Sequence, residues 1–246
     1  SRIGVSETIG GGDGDDRLFG GAEATCAYST PLAVESSDGT IYASLTRGTG
    51  QGLLQAYDYD RDANVLTSRW GFSSPGLARP ASAPVVSPDG TRVYLQQRNG
   101  VLSVVDPSTP TITWSVATPA SSKDAPVLNG DLILPAGVAS EGATGITVYR
   151  DTGAAPVVAF ETTAYLPRSL AAAVANERFV LAVEEVATGE VLLAVIDVAA
   201  GTITTSAWAT GVSPGTVRSL TVRQDGSIVV QSWGRSDNIV VFSPAG

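Results

Sequence analysis

The sequence predicts an all-β fold, a single five-bladed β-propeller with four-stranded antiparallel blades, and three observations predict it. Short runs rich in Val, Ile, Leu and Thr alternate with Gly- and Pro-containing turns across all 246 residues, a pattern of many short strands. The stretch SAPVVSPDGTRVYLQQRNGVLSVVDPSTPTITWSVAT, Ser82–Thr118, contains four such runs. Weaker copies occupy Ser29–Phe72, Asp124–Thr162, Ser169–Thr210 and Ser219–Gly246. A repeated four-strand unit of about 45 residues is the signature of a propeller.

The elements of each copy follow one another in the same order. The first strand is short and rich in small and β-branched residues, which suits the crowded strand that lines a propeller channel. The first strands are predicted at Pro31–Val34, Pro84–Val86, Pro126–Leu128, Ala171–Val174 and Leu220–Val222. The fourth strands carry aromatic residues that we expect to pack between blades, namely Trp70, Trp114, Phe160 and Trp208. The predicted blades span about 20–78, 79–118, 119–163, 164–211 and 212–246 of one domain, 1–246.

The last copy ends at Gly246 before a fourth strand, whereas Ser1–Ile9 has strand-like alternation and follows no other strand. If Ser1–Ile9 pairs beside Asn238–Ser243, it completes the fifth blade and closes the ring, which removes two exposed sheet edges. We expect this closure. The alternative is that the chain is a fragment of a larger propeller.

Composition narrows the classes of function. The chain has no His, which excludes His-dependent catalytic triads. It has a single Cys, Cys26, which excludes a disulfide within the chain and a Cys-based metal site. Catalysis by carboxylate, Tyr or Lys side chains stays open. A net charge of −9 disfavours duplex nucleic acid as a partner. No apolar run is long enough for a transmembrane helix. No secretory signal is visible at Ser1, and we expect a mature chain that is extracellular, at the cell surface or periplasmic.

Two segments of the clearest copy, SPDGTRVY and LSVVDPSTPTITW, resemble the repeats of the PQQ-like (quinoprotein-type) and YVTN β-propeller superfamily. The resemblance covers most of the chain, is strongest over Ser82–Thr118, and implies fold more than activity. The catalytic quinoprotein dehydrogenases of that superfamily bind PQQ and calcium and have a vicinal Cys pair, which cannot exist with one Cys. The resemblance therefore implies a non-catalytic member without PQQ.

Cationic residues recur just before the first strands. They occur in four consecutive blades, and Tyr28 takes the place in the first blade; the set is Arg79, Lys123, Arg168, Arg218 and Tyr28. In a propeller, loops that enter first strands share a face, the top, with loops between second and third strands, which add Arg47, Arg98 and Arg235. A cationic ring at a concave mouth favours an anionic ligand. The alternative is that these cationic side chains are hydrated surface residues of the loops and bind no ligand.

The segment GGGDGDDRLFGG, Gly10–Gly21, matches the calcium-binding nonapeptide of RTX repeats. Those sites are shared between stacked turns, and this chain has one copy. Asp13, Asp15 and Asp16 are nevertheless candidate Ca²⁺ ligands, because Ca²⁺ accepts many oxygen ligands in flexible geometry. The other interpretation is a Gly-Asp loop that joins the closing strand to the first blade; no other cofactor is expected.

The sequence thus predicts a non-catalytic binding or scaffold propeller that engages a protein partner or an anionic small molecule or polymer through its top face. One alternative is a lectin-like propeller. The other is a lactonase- or glycosidase-type hydrolase, whose acids would lie near the channel mouth. The candidate carboxylates are Asp124 beside a first strand and Glu184, Glu185 and Glu190 around a loop between second and third strands, whereas Glu35 lies at the wrong end of its first strand.

Overall fold

A computed structural model of the chain describes residues 26–29, 33–34, 39–47, 51–60, 62–118, 125–135, 144–168, 171–207, 217–223, 227–232 and 239–242. The regular elements of these ranges are all strands, which confirms the predicted all-β class. None of the described residues forms a helix long and apolar enough to cross a membrane.

The strands form five antiparallel sheets within the described residues. Their bounds are as follows. Sheet 1 holds β1 (Cys26–Ser29), β2 (Ala33–Val34), β3 (Ile41–Arg47), β4 (Gly52–Asp60) and β5 (Val65–Phe72). Sheet 2 holds β6 (Val85–Val86), β7 (Val93–Gln96), β8 (Val101–Asp106) and β9 (Thr111–Ala117). Sheet 3 holds β10 (Val127–Asn129), β11 (Leu132–Leu134), β12 (Ile146–Asp151) and β13 (Pro156–Thr162). Sheet 4 holds β14 (Tyr165–Pro167), β15 (Ala172–Val174), β16 (Arg178–Glu185), β17 (Val191–Asp197) and β18 (Thr202–Ala207). Sheet 5 holds β19 (Val217–Val222), β20 (Ile228–Ser232) and β21 (Ile239–Phe242).

Sequential strands pair as neighbours in each sheet, as the repeat predicts, except that β1 pairs with β3 and β14 pairs with β16. Residues 1–9, expected to add a fourth strand to sheet 5, lie outside the described residues, so closure of the fifth blade stays a prediction.

The chain divides into two compact units, Ser1–Ala117 with sheets 1 and 2, and Thr118–Gly246 with sheets 3 to 5. In the first unit, β2 lies beside β6; in the second, β10 lies beside β15 and β15 beside β19. The short first strands of neighbouring sheets in the same unit therefore lie side by side, as expected of strands around a propeller channel.

Each unit has a core built from the middle strands. In the first unit Tyr42, Leu54, Leu77 and Leu95 belong to one buried cluster, with Trp70 packed against it. In the second, Leu132, Phe179 and Leu181 belong to another. Burial of each such side chain is worth roughly 1.5–3 kcal/mol.

The described fourth-strand aromatic residues pack both between sheets and within one sheet. Trp70 packs against a cluster that includes Leu95 of sheet 2, and Phe160 belongs to a cluster with Phe179 of sheet 4, as expected for packing between blades. The rings of Tyr42 and Trp70 lie 5.9 Å apart between centroids, and those of Tyr94 and Trp114 lie 6.5 Å apart. Both pairs join a second-strand Tyr to a fourth-strand Trp of the same sheet. Trp208 lies outside the described residues.

The first strand of a blade is broken into two parts in several sheets, and this positions the site. β1 and β2 both pair with β3, and β14 and β15 both pair with β16. In sheet 2 an isolated bridge between Pro80 and Gln97 precedes β6. With a broken first strand counted as one, we call the end of a sheet that holds the loop between its second and third strands the mouth end. This loop is residues 97–100 between β7 and β8 in sheet 2, and residues 186–190 between β16 and β17 in sheet 4. The other end is the opposite end.

Candidate functional site

The mouth end of sheet 2 is built on residues 77–80, which are held from two sides. Toward sheet 1, the Gly52 N–H donates to the Leu77 carbonyl oxygen at 2.8 Å. Toward sheet 2, the Ala78 N–H donates to the Gln97 side-chain oxygen Oε1 at 2.6 Å, and Pro80 bridges to Gln97. These residues therefore form a fixed connection between the two sheets of the first unit.

The Gln97 side chain joins this connection to the interior of sheet 2. Its side chain is fully buried, at 0% exposure. Its Nε2 donates to Ser103 Oγ at 2.6 Å, and the Ser103 and Ser115 hydroxyl oxygens lie 2.7 Å apart. Buried polar groups that satisfy one another in this way hold a single arrangement, because losing one partner exposes the others to a desolvation penalty.

Two arginines lie on this support, directly opposite each other. The Arg98 N–H donates to the Arg79 carbonyl oxygen at 3.0 Å, one step beyond the Pro80–Gln97 bridge. Cross-strand neighbours project from the same face of a sheet. Arg79 is half-buried and Arg98 is exposed. The only carboxylates between residues 73 and 118 are Asp89 and Asp106, which lie in turns at the opposite end of sheet 2. Within residues 73–118, the sheet thus carries two Arg at its mouth end and both of its carboxylates at the opposite end.

The mouth end of sheet 4 has a different character. Arg168, whose backbone N–H donates to the Ala182 carbonyl at 2.8 Å, forms an ion pair with Glu184 through Nη2 and Oε2. Their side chains are 32% and 24% exposed, so solvent only partly screens the pair. Glu185 and Glu190 join at the base of the same loop, where the Glu185 N–H donates to the Glu190 carbonyl at 2.8 Å. An anion at this mouth end would have to share Arg168 with the Glu184 carboxylate.

The register of the two sheets explains this difference. Pro80 pairs with Gln97 and Pro167 pairs with Val183. When the sheets are aligned on these pairs, Glu184 occupies the position of Arg98. Arg79 and Arg168, which sequence spacing placed at one blade position, are two residues apart. Arg79 precedes β6 and Arg168 precedes β15, as expected from the sequence. Of these two residues, Arg79 faces another cation, Arg98, across the sheet.

The other predicted ligand residues have less structural context. The structure gives backbone positions for Tyr28 in β1, opposite Thr46, and for Arg218 in β19, at an irregularity between Val217 and Ser219. Lys123 and the candidate calcium ligands Asp13, Asp15 and Asp16 lie outside the described residues. Within the described ranges, no three Cys, Asp or Glu side chains gather closely enough to hold a metal ion.

The acidic residues of the opposite ends have a structural role that the turn-rich sequence already indicated. Asp89 Oδ1 accepts bonds from the Thr91 N–H at 3.1 Å and from the Ser87 hydroxyl at 2.6 Å. Asp106 Oδ1 accepts the Ser108 N–H at 2.8 Å. The Ser87 hydroxyl is the main cause that lowers the pKa of Asp89, and the Ser108 hydroxyl is the main cause for Asp106. Asp60, Asp151 and Asp197 accept backbone N–H groups in the same manner.

A second opposite-end cluster joins sheets 3 and 4 within the second unit. Arg150 Nη1 lies 2.9 Å from Asp131 Oδ1, and its Nη2 lies 2.9 Å from Glu177 Oε2. The hydrogen bond with Glu177, followed by that with Asp131, raises the pKa of Arg150. Asn129 Nδ2 donates to the Val174 carbonyl oxygen at 2.7 Å. Glu177 adopts a φ of 56°, a left-handed conformation unusual for Glu, and its ion pair helps to hold it there.

No protein-family model matches the sequence, and no curated protein sequence is similar to it. Solved structures are similar. Hydrazine synthase of Kuenenia stuttgartiensis has a TM-score of 0.56 at 17% identity, over 86% of this chain and 58% of that one. The β-propeller domain of Cps50 (Swd1), Myceliophteria thermophila, has a TM-score of 0.56 at 12% identity, over 85% and 62%. BamB of Moraxella catarrhalis has a TM-score of 0.53 at 16% identity, over 82% and 60%.

The chain thus spans about three fifths of the length of these three structures. Because 756 solved chains are similar and the identities are low, the likeness does not select a function. It agrees with the four-stranded antiparallel sheets and their first-strand neighbours: the chain has a β-propeller fold.

Proposed function

We propose that this protein is a non-catalytic binding scaffold that engages a protein partner or an anionic ligand through the mouth ends of its sheets. The observation that carries the proposal is the pair Arg79 and Arg98, directly opposite each other on residues that sheets 1 and 2 hold in place. Charged side chains on a rigid backbone bind with little loss of conformational entropy, because the order already exists in the free protein.

The described titratable groups favour binding over acid–base catalysis. The carboxyl groups with a resolved pKa change, Asp89 and Asp106, have lowered values and sit in opposite-end turns. A general acid needs a raised pKa and a place near the substrate. The first strands β2, β6, β10 and β15 carry Ala, Val, Leu and Asn, and this composition supports a structural role around the channel.

The proposal keeps the wider set of ligand residues, Arg79, Lys123, Arg168, Arg218 and Tyr28. It also includes a fold of five blades in which residues 1–9 pair beside β21, a calcium ion bound by Asp13, Asp15 and Asp16, and a location outside the cytoplasm.

The calcium site is tested by thermal unfolding of the protein in the presence of Ca²⁺ or Mg²⁺. A rise in the unfolding temperature with Ca²⁺ that is lost in the Asp13→Asn, Asp15→Asn, Asp16→Asn variant supports the site, and no rise in the parent chain contradicts it.

Affinity capture followed by reconstitution tests the function. The full chain, the Arg79→Gln, Arg98→Gln variant and the Arg92→Gln variant are immobilised, and an extract of the source cells is passed over each. Arg92 lies near the opposite end of sheet 2, so its variant is matched in charge and chemistry. A protein that is then purified and binds the parent and Arg92→Gln chains, but binds the double variant more weakly, supports the proposal. A purified partner that binds all three equally contradicts binding through this mouth end. A glycan array and a panel of lactones and glycosides test the two alternatives.

A further inference from the structure

We infer that β18, the fourth strand of sheet 4, is a self-association edge, which pairs antiparallel with β18 of a second copy of this chain. The inference concerns the edge of sheet 4 that lies away from β14 and β15. It goes beyond the proposed function and is independent of binding at the mouth ends.

The first support is the regularity of β18 compared with the fourth strands of sheets 1 to 3. β5, β9 and β13 each contain a bulge, seen as a register shift against the third strand. β5 also carries Arg69, and β13 carries Pro156 and Glu161. β18 pairs with β17 at every position from Thr202 to Ala207, without a bulge, a charged residue or a Pro. Bulges, charges and Pro are the devices that keep sheet edges from pairing with other chains, and β18 has none of them.

The second support is that this edge is accessible and held in place. Within the described residues β18 pairs with β17 alone, and such an edge presents backbone N–H and C=O groups to a further strand. Thr202, Thr204 and Ser206 are exposed and share one face by alternation. On the other face, Ile203 packs against the buried cluster that includes Phe179. A further strand can therefore be added with little reordering of the backbone.

The third support is that the sequence of β18 is compatible with its own reverse, which identifies the added strand as a second copy. Two antiparallel copies related by a twofold axis perpendicular to the sheet place residues of the same face opposite each other. When the axis passes through Thr204, this residue lies opposite Thr204 of the second copy. Thr202 then lies opposite Ser206, and Ile203 lies opposite Thr205. Each pair joins hydroxyl or β-branched side chains, which are favourable cross-strand neighbours, and no pair brings two like charges together.

The charges around the edge permit two copies to meet. Asp197, opposite Thr202 in β17, has its Oδ2 3.2 Å from Arg178 Nε, so the carboxylate next to the edge is balanced by a cation. The net charge of −9 on each copy acts mainly over longer distances, and salt screens it beyond about 8 Å at physiological ionic strength. We therefore expect the association to become tighter as salt is added.

Sedimentation equilibrium of the full chain tests the edge. The contact uses six residues of each copy, and small interfaces are weak, so we expect monomers at about 1 µM and dimers at roughly several hundred micromolar. Because the contact is isologous, it closes at two copies.

The position of Thr204 on the twofold axis allows a charge-pairing test. Thr204→Lys and Thr204→Asp should each weaken dimerisation about tenfold or more, because like charges then lie directly opposite each other. An equimolar mixture of the two variants should recover the dimer, since a Lys then faces an Asp. Thr113→Lys is the matched control, because Thr113 is an exposed Thr in β9, the bulged fourth strand of sheet 2. This variant should dimerise as the parent chain does.

The inference is overturned if the parent chain stays monomeric at about 1 mM, if both Thr204 variants dimerise as well as Thr113→Lys does, or if mixing them recovers no dimer. Thermal unfolding shows that each variant is folded, and we expect little decrease because Thr204 is exposed. Hydrogen exchange of the parent chain is a second measurement that needs no substitution. Amides of residues 202–207 that are not bonded to β17 should exchange more slowly at the higher protein concentration, and equal rates at both concentrations would contradict the pairing.

Discussion

Replacing Gln97 with Met should unlock the segment that carries Arg79. Met has a similar volume but no hydrogen-bonding group that can replace an amide, so the cavity term is small and the polar term dominates. The Ala78 N–H loses its acceptor at 2.6 Å, and Ser103 loses a donor at 2.6 Å. Ser103 keeps Ser115 at 2.7 Å, so the larger part of the loss arises at Ala78.

The magnitude follows from these contacts. An unsatisfied buried group costs about 1–3 kcal/mol, and a hydrogen bond whose partner finds a substitute costs about 0.5–1.5 kcal/mol. We therefore expect Gln97→Met to lower the free energy of unfolding by about 2–4 kcal/mol, a large share of the 5–15 kcal/mol typical of a protein. Gln55→Met is the matched control. The Gln55 Nε2 bonds to Ser68 Oγ at 2.6 Å and to the Trp70 carbonyl at 2.8 Å near the surface, where water replaces it.

Urea unfolding followed by Trp fluorescence measures the first quantity, and amide hydrogen exchange at Ala78 measures the local one. We expect a protected Ala78 amide in the parent chain, fast exchange in Gln97→Met, and no change in Gln55→Met. The reasoning is refuted if the Ala78 amide exchanges equally in all three chains, or if the two substitutions have the same cost.

Three further predictions concern the scaffold. Gly52→Ala should destabilise the first unit, because its Cβ would lie 2.4 Å from the Ala78 carbonyl oxygen; Gly76→Ala, whose Cβ would have no contact closer than 3.7 Å, should be tolerated, and equal unfolding temperatures would contradict this. Asp106 has a pKa lowered from 3.8 in the folded protein. Its contribution to stability is therefore present above that pH and is lost as the pH falls through the folded-state pKa. The free energy of unfolding in urea should change less between about pH 4 and pH 2 for Asp106→Asn than for the parent, and an identical pH profile would be evidence against this role of Asp106. Arg150→Met should cost about 1 kcal/mol, since both of its ion pairs are partly exposed, and a cost that does not shrink in high salt would argue against an electrostatic origin.

The strands could be predicted from the sequence because each depends on local features. Alternation with a period of two and turn pairs such as Asp-Gly and Asn-Gly recur along the chain, and four of the five copies carry an aromatic residue in the predicted fourth strand. The predicted first strand Pro84–Val86 corresponds to β6 (Val85–Val86), and Trp114 lies in β9 as expected. The contact of Trp114 with Tyr94 lies within sheet 2, whereas the sequence predicted packing between blades.

The pairing of charges could not be predicted in the same way, because it depends on cross-strand register. The break in the first strand sets which residue faces which, and sequence spacing does not show its length. Arg79 and Arg168 therefore looked equivalent, although one faces Arg98 and the other pairs with Glu184. Glu184 was considered as a hydrolase carboxylate, and its pairing with Arg168 was missed.

The role of Gln97 was also missed. Two consecutive Gln residues at the end of an otherwise apolar strand were the available signal, since a buried amide needs partners on both its oxygen and its nitrogen. The partner on the oxygen side is the backbone of Ala78, on a segment whose path the sequence does not reveal.

Hydrogen exchange of the full chain with and without a saturating acidic or phosphoserine peptide tests the central claim most directly, because it locates the bound peptide. The account predicts slower exchange at residues 77–80 and 97–100, and unchanged exchange in the opposite-end turns at residues 87–91 and 107–110. Protection confined to those turns, or no protection at residues 77–80 and 97–100, would contradict binding through the mouth end of sheet 2.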